Sequence, residues 1–137
     1  MEKKKVSKRR KSREQALAAL FQIFLGKNDL DIALQYVAED SINHDFLKEL
    51  VQGVVQHQEE IDAVIKENTK KWSIERFGNV ELNAIRIATF ELMHKQETPP
   101  KVVMNEAIEV IKTFSDDKSA KFANSILQKI SDQIRGA

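Results

Sequence analysis

Apolar residues recur at helical spacing along almost the whole chain, and no stretch alternates as a strand would. The densest stretch runs from Asn79 to Lys95. At 100° per residue, Val80, Ala84, Ile87 and Ala88 cover one side of a helix, and Leu82, Ile85, Phe90, Leu92 and Met93 cover much of the rest. A helix that is apolar nearly all round needs neighbours on several sides, so this segment reads as the central post of a bundle. Its polar residues, Glu81, Asn83, Arg86, Thr89 and Glu91, must find partners or reach a surface, because an unpaired buried charge is costly.

The other segments fit around it. Ala16, Leu17, Leu20, Phe21, Phe24 and Leu25 form a first stripe, with Ser7 or Ser12 as cap and Gly26 as stop. Asn28 or Asp29 caps a second helix bearing Leu30, Ala33, Leu34 and Val37, which ends near Glu39-Asp40-Ser41. A third, from Asn43 or Asp45, buries Phe46, Leu47, Leu50, Val51, Val54 and Val55, with Gly53 marking a close helix contact. Ile61, Val64, Ile65 and Trp72 form a fourth; the pattern alone leaves open whether it breaks from the third near His57. Phe77-Gly78-Asn79 is a turn, and Pro99-Pro100 is the clearest break. Val103, Ala107, Ile108, Ile111 and Phe114 give a sixth stripe, and Phe122, Ala123, Ile126, Leu127, Ile130 and Ile134 a last one after Ser115-Asp116-Asp117. The expected fold is all-α, a compact bundle of six to seven helices, with residues 1–8 as a flexible basic arm and 9–137 as a single domain.

Composition narrows the function. Among 137 residues there is no Cys, which excludes disulfides and thiolate chemistry, and no apolar run approaches the roughly 20 residues that span a bilayer. With no signal-peptide pattern, a cytoplasmic protein is expected. The net charge of +1 hides an asymmetry. Residues 1–13 hold eight basic groups against one acid, a local charge of +7, whereas the rest holds 14 basic and 20 acidic groups, a charge of −6. Such a split suggests a polyanionic partner met at one place.

Chemistry for catalysis is sparse. His44, His57 and His94 lie on different segments without metal-ligand spacing, so no metal or other cofactor is expected. There is no phosphate-binding glycine loop, and Glu59-Glu60-Asp62 and Asp116-Asp117 read as helix-start carboxylates. An enzyme is not expected. Arg9, Arg10 and Arg13 can make forked hydrogen bonds and stack on bases, which favours nucleic acid as the partner of the basic segment. Lys118-Ser119-Ala120-Lys121-Phe122 places two lysines and an aromatic ring at the start of the last helix, as in single-strand RNA sites; Phe122 also fits a plain core position.

Several stretches together resemble the NusB family of bacterial transcription antitermination factors. They are Arg10-Lys11-Ser12-Arg13-Glu14 with Ala16-Leu17-Ala18-Ala19-Leu20-Phe21-Gln22, Leu50-Val51-Gln52-Gly53-Val54, and Val80-Glu81 with Ile85-Arg86-Ile87-Ala88-Thr89-Phe90-Glu91-Leu92. Pro99, Val102-Val103-Met104-Asn105-Glu106-Ala107-Ile108-Glu109 and Lys121-Phe122-Ala123-Asn124-Ser125-Ile126-Leu127 complete the match. Each is weak alone; their order and spacing along the chain are specific.

The resemblance implies binding of the boxA element of ribosomal RNA leaders together with NusE, a small-subunit ribosomal protein, within an RNA polymerase antitermination complex. It implies an RNA surface built from the arginine-rich segment and the start of the last helix, here Arg9, Arg10, Lys11, Arg13, Lys118, Lys121 and Phe122. For NusE it points to Glu75, Arg76 and Glu81. Two departures stand out: Lys118 lies near a position that is often acidic in the family, and Asn124-Ser125 replaces the usual Asn-Gly. Arg10 and Arg13 are expected on the surface, where truncation changes stability by about 0.5 kcal/mol or less. Two alternatives are an accessory RNA-binding domain like that of ribosomal RNA cytosine methyltransferases, whose second α/β domain has no counterpart in this sequence, and a homodimer.

Overall fold

The computed structural model describes residues 2–38, 44–69 and 77–136, with side chains described from Arg9 onward except for 36–44. Within these residues there are seven helices and no strand: α1 (Glu2–Phe24), α2 (Leu30–Ala38), α3 (His44–Gln56), α4 (Gln58–Glu67), α5 (Asn79–His94), α6 (Pro100–Phe114) and α7 (Asp117–Arg135). No helix among them is long and apolar enough to cross a membrane. The chain forms two compact units, Met1–Gln56 and His57–Ala137.

In the first unit α1, α2 and α3 pack against one another. Their core is Ala16, Leu17, Ala19 and Leu20 from α1, Ala33 and Leu34 from α2, and Phe46, Leu47, Leu50, Val51 and Val54 from α3, all buried. The small residues at 16, 19 and 33 let the helix backbones approach, and Gly53 of α3 is buried as its place in the stripe suggests. Helix α1 begins at Glu2, ahead of both Ser7 and Ser12, so neither serine caps it; Ser12 is instead buried at 1 % exposure. Its end also differs from expectation. The left-handed conformation falls on Lys27, at φ 57°, and not on Gly26. Gly26 is needed for another reason: a Cβ there would lie 2.9 Å from the Gln22 carbonyl oxygen. Asp29 caps α2, its Oδ1 accepting from the Asp31 N–H at 2.8 Å.

In the second unit α5 packs against α4, α6 and α7, and every residue from Leu82 to Leu92 is buried. The all-round apolar pattern therefore does describe a post enclosed by its neighbours. Among its polar residues Asn83 and Arg86 are satisfied locally, whereas Thr89 Oγ1 is buried without a hydrogen-bond partner among the described residues. Arg86 makes a forked pair with Asp62 of α4, Nε to Oδ1 at 2.9 Å and Nη2 to Oδ2 at 3.0 Å, and donates a third bond to Asn83 Oδ1 at 3.1 Å. At the far end the Arg135 guanidinium, on the last turn of α7, donates to four carbonyls: Leu92 at 2.7 Å, Lys95 at 3.1 Å, Thr98 at 3.1 Å and Glu91 at 3.3 Å. Of these, the Leu92 carbonyl is one that a helix C-terminus leaves without an intrahelical donor, that of Glu91 also accepts from the Lys95 N–H, and those of Lys95 and Thr98 lie at and just past the C-cap. The negative end of the α5 dipole faces the cation.

The break left open at His57 is real: a single turn residue there separates α3 from α4. Helix α6 opens with Pro100 at its first position, where the missing N–H costs nothing. The stripe of α6 puts Phe114 inside, but at the end of the helix it is 49 % exposed. Trp72 lies outside the described residues.

Candidate nucleic-acid interface

Helix α1 carries the arginine cluster, and its packing decides what each member does. The buried stripe Ala16, Leu17, Leu20 continues toward the N-terminus through position 13 and then position 9, at helical spacing. Arg13 and Arg9 thus stand where the helix turns toward α3. Both reach Phe46 in the first turn of α3: the Arg9 guanidinium carbon lies 4.1 Å from the ring centroid and that of Arg13 lies 5.3 Å away. A cation within about 6 Å of an aromatic face is attracted by its quadrupole, worth roughly 0.5–2 kcal/mol depending on burial.

This corrects one expectation. Arg13 is only 5 % exposed, so truncating it removes packing in the first unit and is not a neutral surface change. Arg9 and Lys11 are exposed and Arg10 is half-buried. Phe46, which the pattern marks only as core, is 4 % exposed and also serves as the platform for two guanidinium groups. The spacing of positions 9, 13, 16 and 20 is the sequence signal for this, because it places both arginines on the side of α1 that meets Phe46, Arg13 buried and Arg9 exposed.

A second set lies at the start of α7. Asp116 caps the helix by accepting from the Ser119 N–H at 2.7 Å. That backbone hydrogen bond, aided by the Ser119 hydroxyl, holds the Asp116 carboxyl below its ordinary value. Lys118 and Lys121 are exposed at this end of the helix. Phe122 is half-buried, its ring edge-on to Phe77 at 5.4 Å between centroids and 70° between planes. Neither wholly core nor wholly surface, Phe122 has an orientation set by Phe77. Asn124 and Ser125 continue the helix without a glycine, Ser125 Oγ donating back to the Phe122 carbonyl at 2.8 Å.

Of the residues expected to meet a protein partner, Glu75 and Arg76 lie outside the described residues. Glu81 is half-buried in the first turn of α5, where its carboxylate suits the positive end of the helix dipole. Its Oε2 accepts from Ser115 Oγ at 3.1 Å, tying the start of α5 to the end of α6. A Cβ at Gly78 would run into this carboxylate, so glycine at the N-cap gives Glu81 its room.

Chemically, the described elements offer exposed cations and oriented aromatic rings, the equipment of an RNA-binding helical protein. The NusB family model matches residues 10–132, and the chain belongs to the NusB family. It is 41 % identical to the transcription antitermination protein NusB of Listeria innocua over 126 residues, 92 % of this chain and 98 % of that one. Among solved structures it is similar to a crystal structure of antitermination factors NusB and NusE in complex with dsRNA, with a TM-score of 0.84, 29 % identity, and coverage of 93 % of this chain and 98 % of that one. It is likewise similar to NusB of T. maritima, with a TM-score of 0.83, 32 % identity and 91 % of each chain covered.

Proposed function

We propose that this protein is a transcription antitermination factor that binds the boxA RNA of ribosomal operon leaders together with NusE and helps RNA polymerase read through terminators. The observation that carries the reading is near-complete, end-to-end similarity to proteins named for antitermination, one of them solved with NusE and RNA. The reading assigns the protein no catalysis and puts it in the cytoplasm with the polymerase.

Arg9, Arg10 and Lys11 bind phosphate and base edges from α1, with residues 1–8 acting as a basic arm that adds charge. Arg13 supports them from the buried side and adds its positive field. Lys118 and Lys121 bind phosphate at the start of α7, and Phe122 offers a ring for a base to stack on. Glu81, with Glu75 and Arg76, forms part of the NusE contact.

The test is a titration of boxA RNA and a scrambled RNA of equal length, each single-stranded and as a duplex, with and without NusE. Tighter binding of boxA than of the scrambled strand when NusE is present is the expected result. Equal affinity for the two sequences would overturn the reading.

A further inference from the structure

Two of the three histidines, distant in sequence, come together in the second unit. His57 is the N-cap residue of α4, yet its ring makes no capping hydrogen bond. His94 is the last residue of α5. Their rings stack at 4.3 Å between centroids, with planes 29° apart. The buried ring of Phe90 lies behind both, 6.2 Å from His57 and 5.3 Å from His94. Glu60, in the first turn of α4, completes the group: its Oε1 is 3.6 Å from His57 Nδ1 and 3.6 Å from His94 Nε2.

Those two distances are too long for hydrogen bonds. They are close to the separation of neighbouring ligand atoms around a tetrahedral ion. Metal–ligand bonds of about 2.0–2.1 Å set such atoms roughly 3.3–3.4 Å apart. The three candidate donor atoms all lie within 4.8 Å of one another, so rotations of exposed side chains suffice to close the set. His57 and His94 are each about a third or more exposed and Glu60 more than half, which leaves an open path and a fourth position for water.

We infer that His57, Glu60 and His94 form a binding site for a divalent transition metal of the zinc class. Two imidazole nitrogens and one carboxylate oxygen suit zinc and its Irving–Williams neighbours; a single oxygen donor is too little for magnesium or calcium. The ion ties the start of α4 to the end of α5. It also sits at the C-terminus of α5, where the helix dipole favours a cation. The carboxylate of Glu60 offsets the opposite dipole at the start of α4. Phe90 limits how far the rings can turn, a modest preorganisation that an unbacked surface pair lacks.

The test uses full-length, tag-free protein stripped with EDTA and titrated calorimetrically with zinc chloride, with magnesium chloride as the comparison. One zinc per chain is expected, with no saturable magnesium binding. X-ray absorption fine structure at the zinc edge should carry the signature of two imidazoles. His94→Gln and Glu60→Gln, both at exposed positions, should each weaken zinc binding about tenfold or more, whereas His44→Gln should leave it unchanged. His57→Gln is a third arm, read only after its thermal melt has been compared with wild type. No zinc binding, or binding unaltered by both His94→Gln and Glu60→Gln, would overturn the assignment.

Discussion

Arginine is used in two ways in the two units, and the contrast explains how the molecule divides scaffold from interface. In the second unit Arg86 and Arg135 direct their N–H groups at oxygen: a carboxylate and an amide in one case, four carbonyls in the other. In the first unit Arg9 and Arg13 lie against the Phe46 ring. For Arg9 the ring face attracts the cation without consuming its donors. The first arrangement fixes helices to each other. The second fixes an exposed cation such as Arg9 in place and leaves its N–H edges able to meet a phosphate or a base.

Breaking the pairings should expose that difference. The largest effect is expected at Arg86. Arg86→Ala leaves the Asp62 carboxylate, itself mostly buried, without its forked partner, and should cost about 3 kcal/mol in a urea melt. The double variant Arg86→Met with Asp62→Leu should recover much of that loss, because two apolar groups leave no charge stranded. Next is Arg135→Gln, which strips several charge-assisted donors from the end of α5. A loss of about 2 kcal/mol is expected, with hydrogen-exchange protection falling first around Glu91–Lys95.

Phe46→Leu sharpens the other side of the comparison. It keeps an apolar side chain in the first unit but removes the face on which both guanidinium groups rest. About 1–2 kcal/mol should be lost, together with RNA affinity, although Phe46 need not touch RNA itself. The smallest effect is at Asp116. Its folded carboxyl is held below the ordinary value, so the cap stabilises α7 above the ordinary carboxylate range and that contribution disappears as pH falls through the lowered value. Thermal melts of wild type and Asp116→Ala should therefore differ slightly at neutral pH and converge in acid.

Much of the scaffold is legible in the sequence because burial imposes a period. The enclosed nature of α5 follows from apolar residues on all its sides, and every residue from Leu82 to Leu92 is buried. Phe114 shows where periodicity stops being informative: at a helix end the stripe still counts it, yet it stays half exposed. The end of α1 shows another such place, since Gly26 is retained for close approach to the Gln22 carbonyl and the left-handed turn passes to Lys27.

Charge is easier to find than its use. The density of Lys and Arg before residue 14 stands out in the sequence, yet composition treats Arg13 as one more surface cation. Only the register of positions 9, 13, 16 and 20 separates the arginines facing Phe46 from Lys11, which is exposed. His57 and His94 illustrate the same point, because helix packing creates a proximity that no local spacing encodes.

The exposed cations of α1 bind RNA phosphate, on this account, while the buried arginines serve the scaffold. The most direct measurement is the salt dependence of boxA RNA affinity, in the presence of NusE, for wild type and for Arg9→Gln with Lys11→Gln. The slope of log affinity against log salt should fall by about 0.7 for each phosphate left without its cation, near 1.4 for the pair, with stability held within about 1 kcal/mol. A slope and an affinity equal to wild type in that variant would contradict the account.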